Sequence, residues 1–144
     1  MFKNQRGGAA VEFAIVLPVL ALILFGTIDF ALLFYNKQVL TNASREGARA
    51  AIIASNWVDE DEDGIPDDIN DIADFQKIVG DYCVGLINLG GANELDPTQI
   101  TVVSDSVNFF ITVTVPYNYE HLFSGITGFD DTTITGKTVM RQEW

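Results

Sequence analysis

The chain of 144 residues has one cysteine, Cys83. An intramolecular disulfide is therefore impossible, and neither a CxxC pair nor a haem-attachment motif exists. Within Tyr82-Cys83-Val84 the thiol reads as a small buried hydrophobe, with an intermolecular bridge in an oxidising compartment as its other use. Histidine is as scarce. His121 stands alone, with neither a serine nucleophile arrangement nor metal-ligand spacing around it, and is expected to be structural or at the surface. No phosphate-binding glycine loop is present, because Gly85-x-x-x-x-Gly90-Gly91 lacks the lysine. Basic residues are few: eight Lys and Arg against twenty Asp and Glu. From residue 51 onward only Lys77, Lys137 and Arg141 face seventeen acids. Nucleic-acid recognition needs a basic footprint, so no nucleic-acid partner is expected. With no constellation for catalysis, the chain reads as a binding and assembly protein and not as an enzyme.

What the chain does have is a long apolar run. No charge occurs from Phe13 to Ile28, and beyond Asp29 the pattern continues through Phe30-Ala31-Leu32-Leu33-Phe34-Tyr35. A signal-peptide h-region is about 7–15 residues long and ends at a small-residue cut site on its far side. This run is longer and reaches the roughly 20 residues a bilayer needs. Lys3 and Arg6 precede it, which by the positive-inside rule places the amino terminus in the cytoplasm and the acidic body outside. Glu12 lies just inside its start. A carboxylate there is costly without a partner, although at a helix amino terminus it also gains about 0.3–1 kcal/mol from the helix dipole. Asp29, near the outer end of the span, reads as a carboxylate reaching the headgroup zone.

The helical pattern does not stop at the membrane boundary. Residues 36–55 contain no proline, and Val39, Ala43, Ala50, Ile53 and Ala54 recur at helical spacing between polar positions. One helix from about Ala9 to Ser55 is predicted, some 70 Å long at about 1.5 Å per residue. Its outer half is an amphipathic rod on which something else packs. Pro18 and Gly26 fall in the apolar half, where proline predicts a kink or a locally unwound stretch. Gly47, in the alanine-rich outer half, permits close backbone approach of the kind found where subunits bundle.

The acidic stretch 59–71 ends that helix. Asp59-x-Asp61-x-Asp63-Gly64-Ile65-x-Asp67 follows the first nine positions of an EF-hand-like calcium loop. Alternate residues of a tightly curled loop present oxygens to one point, glycine permits the turn, and Ile65 contributes a backbone carbonyl. The bidentate glutamate of the twelfth position is missing. Asn70 stands there, with Asp68 and Asp71 beside it. The loop is closer to the single aspartate-rich loops of extracellular modules than to a paired EF-hand. Its competing reading is a solvated acidic loop, since runs of like charge repel. Calcium is the predicted ligand, held by Asp59, Asp61, Asp63, Ile65, Asp67, Asn70 and Asp71.

A second amphipathic helix is predicted over Ile72–Leu89, from Ile72, Phe75, Ile78, Val79, Tyr82 and Leu86, with Gly90-Gly91 ending it. Three strands follow at Thr98–Ser104, Asn108–Tyr117 and Thr132–Met140. Asp105-Ser106 reads as a tight hairpin and Asn118–Asp131 as a longer loop. The predicted architecture is one α+β unit, with a small antiparallel sheet laid on the outer half of the long helix.

Arg6-Gly7-Gly8-Ala9-Ala10-Val11-Glu12-Phe13 with Leu17-Pro18 resembles the amino terminus of TadE-like proteins. So do Phe25-Gly26, Asp29-Phe30 and Leu40-Thr41-Asn42-Ala43-Ser44-Arg45-Glu46-Gly47-Ala48-Arg49. Ile111–Val115 with Pro116-Tyr117, and Thr133-Ile134-Thr135 running into Met140-Arg141, are similar too. TadE-like proteins are pilin-like subunits, or pseudopilins, of the tight-adherence (Flp-type) branch of type IV pili. The resemblance implies insertion in the inner membrane, amino terminus in and carboxyl terminus out. It implies trimming by a prepilin peptidase, and contact with the pilus assembly platform. It also implies incorporation into, or priming of, a surface filament built with sister and other pilin-like subunits.

On that pattern residues 1–7 are a cytoplasmic leader. Residues 8–57 form the long helix, with 8–35 as its membrane or filament-core half, and residues 58–144 form the extracytoplasmic part. Cleavage after Gly7 leaves Gly8 first and Glu12 fifth, the usual pilin position, whereas cleavage after Gly8 puts it fourth. The freed amine of an incoming subunit then pairs with Glu12 of its neighbour, a buried pair whose disruption costs about 3–5 kcal/mol. Phe13 stands where the family often has tyrosine, so a hydroxyl role there is absent. A major filament subunit and a minor pseudopilin both fit, and an uncleaved, membrane-anchored calcium-binding or adhesive envelope protein is the alternative.

Overall fold

The computed structural model describes residues 6–53, 69–91, 95–105, 110–122, 124 and 131–141. Helix α1 (Arg6–Ile53) runs through Pro18 and Gly26 without interruption. The unwound stretch predicted at Pro18 is therefore absent. Proline forfeits one hydrogen bond, and the turns on either side hold the helix.

Helix α2 (Ile69–Tyr82) follows, then a 3-10 turn (Pro97–Gln99) and strands β1 (Thr101–Asp105), β2 (Phe110–Tyr119) and β3 (Thr132–Arg141). The strands form one antiparallel sheet in the order β1-β2-β3. This is the predicted α+β architecture. The predicted first hairpin differs in detail: Asp105 pairs with Phe110, so Asp105 belongs to the strand and not to the connection. The loop after β2 likewise starts later than predicted, since Tyr119 still pairs with Thr132.

The core lies between the outer half of α1, α2 and one face of the sheet. Along β2 every second residue is buried: Ile111, Val113, Val115, Tyr117 and Tyr119. On α1 the buried stripe is Asn36, Leu40, Ala43, Ser44, Gly47, Ala48 and Ala51. Fully burying one Leu, Val or Phe side chain is worth about 1.5–3 kcal/mol, so this stripe holds the rod to the sheet. Two glycines set the distances. A Cβ on Gly136 of β3 would strike the carbonyl of Leu40, so only glycine lets β3 lie directly on α1. A Cβ on Gly47 would sit 2.6 Å from Val79 and 2.9 Å from Phe75. The close approach at Gly47 is therefore to α2 of the same chain, which corrects the expectation that it serves a neighbouring subunit.

Helix α2 also departs from its predicted bounds, running Ile69–Tyr82 and not Ile72–Leu89. Apolar spacing continues through Leu86, but the chain turns earlier. The Cys83 amide bonds the Gly80 carbonyl at 2.8 Å, and the Leu86 amide bonds Cys83 at 3.1 Å, which tightens the last turn. The buried Asn36 then claims the backbone of Ile87. Its Nδ2 donates to the Ile87 carbonyl at 2.6 Å, and its Oδ1 accepts from the Ile87 amide at 3.0 Å. A residue whose two backbone groups are held by α1 cannot also serve a helix.

Candidate functional site

Every residue from Gly7 to Leu20 is exposed. The most apolar 18-residue window of the helix buries none of itself. This half is predominantly apolar and largely exposed, unlike the core helix of a soluble protein. Thr27, the polar residue within it, returns its hydroxyl to the Ile23 carbonyl at 2.8 Å, as a hydroxyl must where no water is available. Glu12 is exposed in the first turns, beside Val11 and Phe13. Gly7 and Gly8 lie in the helix with nothing within 4 Å of a would-be Cβ.

Burial begins at Asp29, which is only 8% exposed. Its carboxylate is gripped by the far end of β2. Tyr119 Oη donates to Asp29 Oδ1 at 2.8 Å, and the Leu122 amide donates to the same oxygen at 3.4 Å. His121 Nδ1 lies 2.7 Å from Oδ2. The carboxylate only accepts, so Nδ1 carries the proton of that bond. His121 Nε2 is 3.0 Å from Thr132 Oγ1, which ties the first residue of β3 into the same cluster. The imidazole also stands edge-on to Tyr119, with ring centroids 5.3 Å apart.

Burial, with the neighbouring Asp29 carboxylate, pushes the Tyr119 phenol well above the ordinary tyrosine range, so it stays a donor. The Asp29 carboxylate is therefore satisfied by the sheet end. It turns inward as the polar bolt between the apolar rod and the sheet.

Asp29, His121 and Thr132 share the connectivity of a carboxylate–imidazole–hydroxyl relay. The small cleft on the neighbouring part of β2, about 180 Å³ and lined by Leu95, Asp96, Gln99, Pro116 and Tyr117 among others, contains none of the three. The arrangement joins two layers of the fold and does not face that cleft.

Sequence reasoning missed this cluster, although a signal existed. A carboxylate inside an apolar run requires a partner, and the sole histidine lies two residues beyond the buried Tyr119.

The predicted calcium ligands Asp59, Asp61, Asp63, Ile65 and Asp67 lie outside the described residues. Asn70 and Asp71 stand in the first turn of α2, and only their backbone is described. Among the described residues, no group of three or more His, Cys, Asp or Glu side chains is placed to hold a metal ion. Cys83 is buried, and burial pushes its thiol up to about 11.

Residues 7–49 match the family model described as TadE-like protein. The matched stretch lies within α1 and is less than a third of the chain. The match covers the exposed apolar half, the Asp29 bolt and most of the buried stripe of α1, and none of the sheet. No curated protein and no solved structure matches the chain. The helix is thus similar to that of TadE-like proteins, and its apolar half is long enough to span a membrane.

Proposed function

We propose that this protein is a pilin-like subunit of a tight-adherence pilus. It waits in the inner membrane, amino terminus in the cytoplasm, and enters or primes a surface filament through α1. The observation that carries this reading is the division of one TadE-like helix into two halves, the first largely exposed and apolar and the second packed on its own domain. So much exposed apolar surface needs lipid or sister helices around it. Exchanging lipid for a helical bundle satisfies it equally well, which is the step assembly requires.

In the bundle, Glu12 takes the freed amine of the adjacent subunit after a prepilin peptidase cuts behind Gly7. Calcium organises the aspartate-rich stretch that follows α1, as its alternate oxygens and central glycine favour.

The mature chain recovered from the cell surface is expected to begin at Gly8. A chain that begins at Met1 supports the uncleaved anchor instead. Glu12→Ala is expected to leave a stable membrane protein that is absent from sheared filaments, and normal assembly of that variant removes the pairing role. Chelation of calcium is expected to lower the melting temperature of the extracytoplasmic part, and an unchanged value counts against the calcium loop alone.

A further inference from the structure

The end of α2 and the segment after it, Tyr82–Gly91, contain no charged residue in a domain dominated by acids. Among the described residues, eight large hydrophobics outside α1 are exposed, and four of them fall here: Tyr82, Val84, Ile87 and Leu89. Val84 is 82% exposed and Leu89 50%. Their height along the long helix follows from what they touch. Helix α2 meets α1 at Gly47 through Phe75 and Val79. By Gly85 the chain has descended to the Tyr35 hydroxyl, 3.4 Å from where a Cβ would stand. Ile87 is pinned by Asn36. Gly90 then lies against the backbone of Glu120 and His121, and His121 holds Asp29. The segment thus runs down α1 from the level of Asn36 to that of Asp29.

Residues 8–28 of α1 span about 32 Å at about 1.5 Å per residue, close to the ~30 Å hydrocarbon core of a bilayer. Asp29 therefore marks the top of the hydrocarbon, and the next ~10 Å of α1, up to Asn36, crosses the headgroup zone. Leu89 lies between residues held at those two heights.

We propose that Tyr82–Gly91 is a membrane-resting foot. Leu89 and Ile87, with Val84 above them, insert into the headgroup boundary of the bilayer that holds α1. The proposal rests on the reading that α1 spans that bilayer. Three observations favour lipid over a second copy as the occupant. The foot is continuous with the spanning face of α1. It lies at interfacial depth, where apolar side chains sit about 5–10 Å into the headgroup and acyl boundary. It is also an uncharged stretch of an acidic domain that anionic lipid otherwise repels. Asn36 and the Asp29 bolt hold the foot at this height, so the domain leans on the membrane until the helix is withdrawn into a filament.

The test is depth measurement on the full chain reconstituted at one copy per nanodisc. In a Cys83→Ala background, nitroxides are placed by Leu89→Cys, by Val139→Cys on the outer face of β3, and by Leu20→Cys within the span. The ratio of oxygen to water-soluble nickel-chelate accessibility is expected to be severalfold higher at position 89 than at 139, and highest at 20. Equal ratios at 89 and 139, with position 20 still in lipid, overturn the foot and leave the spanning reading intact. A water-exposed label at position 20 overturns the spanning reading itself. Protection at 89 that appears only with two copies per disc assigns the surface to a second copy and overturns the proposal. If Cys83→Ala impairs folding, a carbene probe carried at headgroup depth on lipid supplies the same answer with the unsubstituted chain. It is expected to tag Ile87 and Leu89, and tagging confined to α1 overturns the foot.

Discussion

The two halves of α1 share one unbroken backbone and differ in what surrounds it. Before Asp29 the side chains are predominantly apolar, and almost all of them are exposed. After Asp29 one face is buried against α2 and the sheet, while the other carries Gln38, Asn42, Arg45 and Arg49 in the open. The second half obtains its stability from its own domain, and the first must obtain it from lipid or from other subunits. The boundary is not a change of helix propensity. It is a polar lock, because Asp29 commits the rod to the sheet at one fixed height.

The largest expected effect comes from removing that lock. Asp29→Ala removes the carboxylate that Tyr119, His121 and the Leu122 amide share, and leaves Tyr119 only the 3.2 Å bond to the residue-29 carbonyl. Breaking one side of a buried charged network costs about 3–5 kcal/mol, to be read as a lower unfolding midpoint of the extracytoplasmic part in detergent. Leu20→Ala, in the other half, is expected to leave that midpoint unchanged. Equal losses from the two substitutions would break the comparison.

Much of this division was legible in the residues. The apolar run, its length and the alanine-rich continuation placed α1 within a few residues of its observed end. Alternation along Asn108–Tyr117 placed β2 to within two residues at each end, because both signals are local and periodic. What the sequence could not display were pairings that depend on distance through the fold. Asn36 ends α2 by capturing Ile87, fifty-one positions away, and no local pattern in Ile72–Leu89 announces it. Asp29 looked like an interfacial carboxylate because its partners lie beyond residue 118. Gly136 drew no attention within its strand, since Leu40 is its neighbour only once β3 lies on the rod.

Gly136 supplies the next effect in size. The added Cβ of Gly136→Ala meets a helix carbonyl rather than a movable side chain, so α1 and β3 must separate. Overpacking of this kind costs typically about 1–3 kcal/mol. Gly47→Ala meets the side chains of Phe75 and Val79 and no backbone atom, and is expected to cost less. Gly26→Ala, in the exposed half, meets nothing within 4 Å and is expected to cost nothing within the subunit. Unfolding of the three variants side by side ranks the intramolecular closeness of the two halves. A loss at position 26 that appears only in filaments would locate a contact between subunits.

Cys83 offers the smallest and cleanest effect. Its thiol is buried by protein, between α2 and the core, and burial raises it from 9.0 to about 11. The thiolate is the nucleophile. At pH 8, well below both values, the two-unit rise lowers its population, and with it the alkylation rate, by about a hundredfold relative to an unperturbed thiol. The rate is expected to climb about tenfold per pH unit up to that raised value. Because the protection is intramolecular, it should be the same in bilayer and in mild detergent. A cysteine introduced at Leu20 owes its protection to lipid alone, so its rate should change when lipid is exchanged for detergent. If Cys83 instead becomes reactive when the bilayer is removed, the outer half also depends on lipid, and the line drawn at Asp29 moves outward along the helix.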